Sequence, residues 1–116
     1  MKSVGMGLVG AGFLADKFAT CYRQDPRVKL VAVASRTEAH ARSFAEKHGI
    51  KAWYTDYEEM IRREDIDAIN VCVPNFLHYP VTISAAEHGK HVLCTKPLAV
   101  STDQAEKMVR ACRRAN

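Results

Sequence analysis

The sequence lacks both a long apolar run and a paired cysteine motif. No stretch reaches the roughly 18 apolar residues that a membrane-spanning helix needs. No cysteines form a Cys-x-x-Cys pair and all lie inside apolar segments, so neither a zinc site nor a disulfide framework is expected. Free thiols favour a reducing compartment, which predicts a cytoplasmic protein. The four cysteines are Cys21, Cys72, Cys94 and Cys112.

A strong excess of one charge is also missing. The 116 residues include 17 Lys and Arg against 13 Asp and Glu, and the signs are interspersed, which excludes a disordered acidic or basic tail. The net charge of +4 is modest and no nucleic-acid-reading motif is present, so we expect no nucleic-acid partner. The histidines share no ligand spacing with cysteines or carboxylates, so no metal site is expected.

The start of the chain has the charge of a secretory signal without its apolar helix. Lys2 precedes an uncharged stretch over residues 4–15. Four glycines weaken that stretch as a helix, and Asp16 and Lys17 stand where a small-residue cleavage site would be. We therefore expect no signal peptide. Residues 1–116 are predicted to form one domain, because a hydrophobic content of 47% supports a core.

The chain does contain a repeated alternation of β-branched runs and helical patterns. Strands are predicted at residues 4–9, 28–34, 52–54, 68–73 and 91–94, each followed by a helical pattern. This alternation predicts an α/β fold of the Rossmann type, with a doubly wound parallel sheet of about five strands and helices on both faces. A complete fold of this kind returns through a sixth strand, so we expect the last strand to be missing.

The helical patterns also predict buried faces and helix ends. Thr37 is the predicted N-cap of the second helix, and Gly49 is its predicted C-cap. The predicted buried faces are Leu14, Phe18, Cys21 and Tyr22 in the first helix, Ala41, Phe44, Ala45 and His48 in the second, and Ala105, Met108, Val109 and Cys112 in the last.

A glycine motif follows the first predicted strand and opens the first predicted helix. It reads Gly10-Ala11-Gly12-Phe13-Leu14-Ala15, a G-x-G-x-x-A pattern. Gly10 permits a tight turn, Gly12 allows a pyrophosphate to approach the backbone, and the helix N-terminus offers free N–H groups to the anion. The motif predicts a dinucleotide site that includes Gly10, Gly12, Phe13 and Leu14. The alternative is a plain strand-to-helix turn.

The end of the second strand lacks the acidic residue that holds the ribose diol of NAD in many Rossmann folds. Ser35, Arg36 and Thr37 stand there instead, and they can bond a 2′-phosphate. NADP is therefore the predicted cofactor, with NAD bound more weakly. The same missing acid argues against an S-adenosylmethionine methyltransferase. The alternative for Arg36 is a solvated surface side chain.

The loops after the fourth and fifth strands complete a set of motifs. Together with Gly10-Ala11-Gly12, the segments Val73-Pro74-Asn75 with His78, Gly89 to Cys94, and Lys96-Pro97-Leu98-Ala99 follow an order that resembles the Gfo/Idh/MocA oxidoreductases. The resemblance covers essentially the whole chain. It implies a nicotinamide-dependent enzyme acting on sugars, polyols or related compounds, with this chain as its N-terminal nucleotide-binding domain.

The resemblance also implies roles for the residues of those loops. Lys96 is the implied catalytic residue, because an ammonium beside the nicotinamide can orient a substrate hydroxyl and stabilise alkoxide charge. Thr95 replaces the family's glutamate before that lysine, and Pro97 follows it. Pro74, Asn75 and His78 are implied to line the nicotinamide half. Their alternative is an ordinary helix start with Asn75 as N-cap.

The predicted function is the cofactor-binding part of an NAD(P)-dependent oxidoreductase. The family's larger α+β domain is absent from this sequence, so we expect the chain alone to bind cofactor with little turnover. Apolar surface left by such an absence favours self-association into a homo-oligomer. The alternative function is a noncatalytic dinucleotide sensor or regulatory module, which Thr95 favours.

Overall fold

The computed structural model describes residues 3–94 and 101–115, in which strands and helices alternate. The strands are β1 (Val4–Val9), β2 (Val28–Ala34), β3 (Ala52–Tyr54), β4 (Ala68–Val71) and β5 (His91–Cys94). The α-helices are α1 (Phe13–Arg23), α2 (Glu38–His48), α3 (Tyr57–Ile61), α4 (His78–Glu87) and α5 (Thr102–Ala115), and a short 3₁₀ turn (Asn75–Leu77) precedes α4.

All strand pairs are parallel, and the sheet order is β3-β2-β1-β4-β5. This order confirms the predicted α/β fold of the Rossmann type. The strand order changes direction at β1, which pairs with β2 on one side and with β4 on the other. Strands β2 and β3 extend the sheet on the first side, and β4 and β5 extend it on the second. In such sheets, ligands bind beyond the carboxyl ends of the strands at this reversal.

Helices cover both faces of the central strands of the sheet. One face packs Leu8 and Val33 against small residues of α1 and α2, and the other packs Ile69 and Val71 against α3 and α4. All four residues of β4 are buried, as expected for a central strand covered on both sides. These packed faces hold the loops at the carboxyl edge in fixed positions.

The predicted face of α1 is partly wrong. Leu14 and Cys21 are exposed, and Ala15 and Ala19 are the residues buried against the sheet. Small side chains permit the close approach of this helix to the strands, so the larger apolar residues are turned away. Phe18 lies at the edge of that core cluster.

The predicted face of α2 is confirmed, since Ala41, Phe44, Ala45 and His48 are all buried. Gly49 ends the helix in the left-handed conformation, with φ of 67°. In α5 the prediction is wrong for Val109, which is 41% exposed, whereas Met108 and Ala111 are buried.

The fourth strand ends two residues earlier than predicted. Cys72 still donates its N–H to Val9 O at 2.8 Å, but Cys72 and Val73 leave the strand and turn towards the 3₁₀ turn. The early end places both residues at the open edge of the sheet. Within the described ranges, no helix has the length and apolar character to cross a membrane.

Candidate functional site

A cleft of about 380 Å³ lies at the carboxyl edge of the sheet, beyond β1, β2 and β4. This volume is within the range of small-molecule sites. Its walls come from four loops and the helix starts beside them. The lining residues are Val9, Gly10, Ala11 and Gly12; Ala34, Ser35, Arg36, Thr37 and His40; Thr55 and Tyr57; and Cys72, Val73, Pro74, Leu77 and Val81.

The two motif glycines serve different purposes in this cleft. Gly10 has φ of 114°, and a Cβ there would lie 2.1 Å from Cys72 O, so a side chain would collide with backbone. Gly12 has φ of −92°, and a Cβ there would have no atom within 4 Å. Gly10 is therefore required by the fold, whereas Gly12 leaves open space over the backbone.

The N-terminus of α1 faces the same space. The first N–H groups of a helix have no intrahelical partner, and no side chain caps Gly12. Such a helix start attracts anions through these N–H groups and the helix dipole. Phe13 and Leu14 do not line the cleft and are 77% and 45% exposed, so their predicted part in the site is limited to the backbone N–H groups of the helix start.

A polar cluster ties this helix start to α2. Asp16 Oδ1 accepts hydrogen bonds from His48 Nε2 at 2.7 Å and from Lys47 Nζ at 2.9 Å. Lys47 and then His48 lower the pKa of the Asp16 carboxyl. Arg23 lies 3.5 Å from His48 Nδ1 and donates to it, which leaves the proton on Nε2. These contacts hold α1 against α2.

The loop after β2 presents polar side chains and no acid. Ser35 N–H donates to Tyr54 O at 3.0 Å, which holds the loop beside β3, while Arg36 and Thr37 are exposed. Thr37 occupies the predicted N-cap position, but its side chain makes no capping hydrogen bond. Arg36 makes no ion pair with any residue of the described ranges.

The electrostatic character of the cleft follows from its lining. Among its described residues none is acidic, and Arg36 is its one permanently charged side chain. Glu38, the first acid after this loop, lies 3.3 Å from Arg42 and is paired with it. The lining therefore favours an anionic ligand.

The segment after β4 contributes Pro74 to the cleft, whereas His78 is placed differently from the prediction. The His78 side chain is buried, with 1% of the residue exposed, and it does not line the cleft. Its Nε2 donates to Val73 O at 2.9 Å, which holds the chain next to Pro74 in place. His78 thus supports the cleft wall from behind.

The start of α4 differs from the alternative given for these residues, a helix start with Asn75 as N-cap. Asn75 begins the 3₁₀ turn, and α4 begins only at His78 with Leu77 as its N-cap, so Asn75 is not the N-cap of α4. The side chain of Asn75 lies outside the structural description. Thr95, Lys96 and Pro97 also lie outside the described residues.

Several lining residues were not predicted from the sequence. His40 is one of them, and its only sequence signal is weak, since it lies three residues after Thr37 and so on the same side of the helix start. Thr55, Tyr57 and Leu77 have no comparable signal in the sequence. Cys72 also lines the cleft, and burial raises the pKa of its thiol to about 12. Its Sγ donates to Asn70 Oδ1 at 3.3 Å. This thiol is therefore a neutral wall group and not a nucleophile.

No group of three or more His, Cys, Asp or Glu side chains in the described part of the chain is arranged to hold a metal ion. The polar groups that line the cleft are instead backbone N–H donors, hydroxyls, the Arg36 guanidinium, the His40 imidazole and the neutral Cys72 thiol. This donor set suits phosphate oxygens.

Comparison with known proteins gives a consistent result. The family model for the Gfo/Idh/MocA oxidoreductases, NAD-binding Rossmann fold, matches residues 4–116. The chain is 35% identical to 2,7-anhydro-N-acetylneuraminate hydratase of Mediterraneibacter gnavus, over 97% of this chain and 29% of that protein. It is 33% identical to the NADP(+) scyllo-inositol 2-dehydrogenase of Bacillus subtilis, over 95% of this chain and 34% of that protein.

A solved structure shows the same likeness. Levoglucosan dehydrogenase in complex with NADH and L-sorbose superimposes with a TM-score of 0.93 at 28% identity, over 97% of this chain and 32% of that chain. The chain spans about a third of the length of the curated relatives it matches.

Proposed function

Because this chain belongs to the Gfo/Idh/MocA oxidoreductases and forms their NAD-binding Rossmann fold, we propose that its cleft binds NADP in preference to NAD. The observation that carries the proposal is the open space over Gly12, flanked by a helix N-terminus on one side and by Arg36 on the other. The whole of residues 1–116 is proposed as one dinucleotide-binding domain. The bound nicotinamide would supply hydride transfer.

The pyrophosphate is assigned to the loop after β1. Gly10 turns the chain there, Gly12 leaves room, and the backbone N–H groups of Phe13 and Leu14 donate to the anion. A cofactor with two phosphates fits because the described lining offers no carboxylate to repel it.

The 2′-phosphate is assigned to the loop after β2. The Arg36 guanidinium and the hydroxyls of Ser35 and Thr37 line one side of the cleft, and the Thr37 hydroxyl is not used for capping. A charge-assisted hydrogen bond contributes about 1.5 to 3 kcal/mol, so the preference for NADP over NAD is about ten- to a hundredfold. NAD retains the pyrophosphate contacts and binds more weakly.

The nicotinamide half is assigned to the later loops. Pro74 lines the cleft, Asn75 follows it, and His78 acts through Val73 O as a positioning residue. Thr95, Lys96 and Pro97 are assigned by family resemblance alone. In that assignment the Lys96 ammonium orients the substrate hydroxyl and stabilises negative charge on its oxygen.

The proposed reaction is oxidation or reduction of a sugar, a polyol or a related hydroxyl or carbonyl compound. The scyllo-inositol dehydrogenase supports this substrate class by its name, and levoglucosan dehydrogenase by the L-sorbose in its complex.

The protein is proposed to act in the cytoplasm, because its free thiols favour a reducing compartment. It is also proposed to self-associate through the exposed apolar residues Leu93 and Val109. Size-exclusion chromatography measures this self-association.

The test is a calorimetric titration of the wild-type chain, Arg36→Ala and Arg62→Ala with NADPH and NADH. Arg62 is exposed at the end of α3 and does not line the cleft, so its variant is the matched control. Arg36→Ala is expected to weaken NADPH binding about ten- to a hundredfold and to leave NADH binding nearly unchanged. Equal NADPH affinity in all three proteins would refute the assignment of the 2′-phosphate.

A further inference from the structure

His40 lies between the two loops to which the phosphates are assigned. It is the third residue of α2, and its side chain is exposed. It lines the cleft together with Arg36, and it also lines an adjoining hollow of about 410 Å³ that reaches Asp16 and Lys47. Within the described ranges, Ala11, Gly12 and His40 line both spaces, and His40 alone among them has a polar side chain.

The charged neighbours of His40 are already engaged on two of the elements around it. On its own helix, Glu38 is paired with Arg42 at 3.3 Å. On α1, Asp16 accepts from both Lys47 and His48. Of the described residues on these two elements, both carboxylates near His40 are therefore already paired with another cation or with His48.

The third neighbour is the loop after β2, and it adds a positive charge. Arg36 lines the same cleft as His40. An anion bound in this cleft beside Arg36 would therefore also lie beside the His40 side chain.

We propose that His40 is a second cationic contact for the 2′-phosphate of NADP, beside Arg36, and that it makes the preference for NADP over NAD depend on pH. This inference rests on the proposed function. Ser35, Arg36 and Thr37 then hold the phosphate from the loop, and His40 holds it from the helix. The contact assigns to α2 a part in cofactor selection that no motif in the sequence indicates.

The direction of the pH dependence follows from histidine chemistry. Histidine gains its charge as pH falls through the range between 8 and 5. A charged hydrogen-bond donor on a phosphate contributes more than a neutral one, by about five- to tenfold in affinity. The 2′-phosphate itself begins to take up a proton near about pH 6, so the informative range is about pH 8 to about pH 6.5.

The experiment is a calorimetric measurement of the Kd of NADP⁺ and NAD⁺ at both ends of that range. The proteins are the wild-type chain, His40→Gln, His40→Lys and His91→Gln. Glutamine keeps a hydrogen-bond donor without charge, and lysine keeps the charge across the range. His91 is exposed at the start of β5 and does not line the cleft, so its variant controls for loss of a histidine elsewhere.

The ratio of the NAD⁺ Kd to the NADP⁺ Kd is the readout. It is expected to rise about five- to tenfold on acidification in the wild-type chain and in His91→Gln. It should be low and flat in His40→Gln, and high and flat in His40→Lys. His40→Gln with the wild-type ratio at both pH values would overturn the inference.

Two further outcomes separate this inference from the proposal it rests on. If His40→Gln weakened both nucleotides equally while remaining folded by circular dichroism, His40 would not act on the 2′-phosphate, and the inference would fail alone. If the folded wild-type chain bound neither nucleotide, the proposed function would fail, and the inference with it.

Discussion

Replacement of Gly10 by alanine is expected to destabilise the fold, whereas the same replacement at Gly12 is expected to spare it. At Gly10 the new Cβ would lie 2.1 Å from Cys72 O and 2.8 Å from the Cys72 carbonyl carbon, with φ at 114°. The backbone conformation costs an alanine about 1–3 kcal/mol, and forced overpacking costs about 1–3 kcal/mol more. The predicted loss for Gly10→Ala is therefore about 2–6 kcal/mol of unfolding free energy.

Gly12→Ala is the matched control for this prediction. Its backbone is extended at φ −92°, and the added methyl group meets no atom within 4 Å. Alanine is a poorer N-cap than glycine, so the expected loss is at most about 1 kcal/mol. The methyl group would however occupy the space proposed for the pyrophosphate, so NADPH affinity should fall at least about tenfold.

The assay is urea unfolding followed by circular dichroism and by the fluorescence of Trp53, the single tryptophan of the chain. Calorimetry with NADPH is performed on each protein that remains folded. The reasoning is refuted if Gly10→Ala unfolds within about 0.5 kcal/mol of wild type. It is also refuted if Gly12→Ala binds NADPH as tightly as wild type.

Two further predictions concern titratable groups. Because Lys47 and His48 lower the pKa of Asp16, this carboxylate stabilises the fold at neutral pH, and its contribution is lost as pH falls through its lowered pKa. The stability advantage of wild type over Asp16→Asn in urea unfolding should therefore be present at pH 7 and shrink below about pH 4, and an advantage independent of pH would contradict the assignment. Because burial raises the pKa of Cys72 to about 12, its thiol should react with iodoacetamide far more slowly at about pH 8 than the exposed Cys21, as mass spectrometry of the labelled peptides would show. Equal labelling of the two in the folded chain would show that Cys72 is not protected.

Much of the fold could be predicted because local pattern and tertiary packing agree. The runs at 4–9, 28–34 and 91–94 are strands with the predicted bounds, and the apolar face of α2 is the predicted one. In α1 the two disagree, because the close contact with the sheet requires Ala15 and Ala19. Hydrophobicity alone predicts that Leu14 is buried. Its burial depends instead on how closely α1 approaches the sheet, which the local pattern does not encode.

The site was predictable only where motif spacing determines it. The positions of Gly10 and Gly12 in the strand, turn and helix follow from the sequence, and the structure places both on the cleft. His78 shows the limit, because spacing placed it near the loop after β4 without indicating that its ring is buried beneath Val73. Tyr57 reaches the cleft only through the packing of α3, which no local pattern encodes.

The most direct test of the central claim is an amide NMR titration of the isotopically labelled wild-type chain with NADPH. The account predicts saturable shifts concentrated at the backbone amides of Gly10 to Leu14 and of Ser35 to Thr37, where the two phosphate contacts are assigned. Shifts confined to other parts of the chain, such as α5, or no shifts at a concentration where the chain is folded, would contradict it.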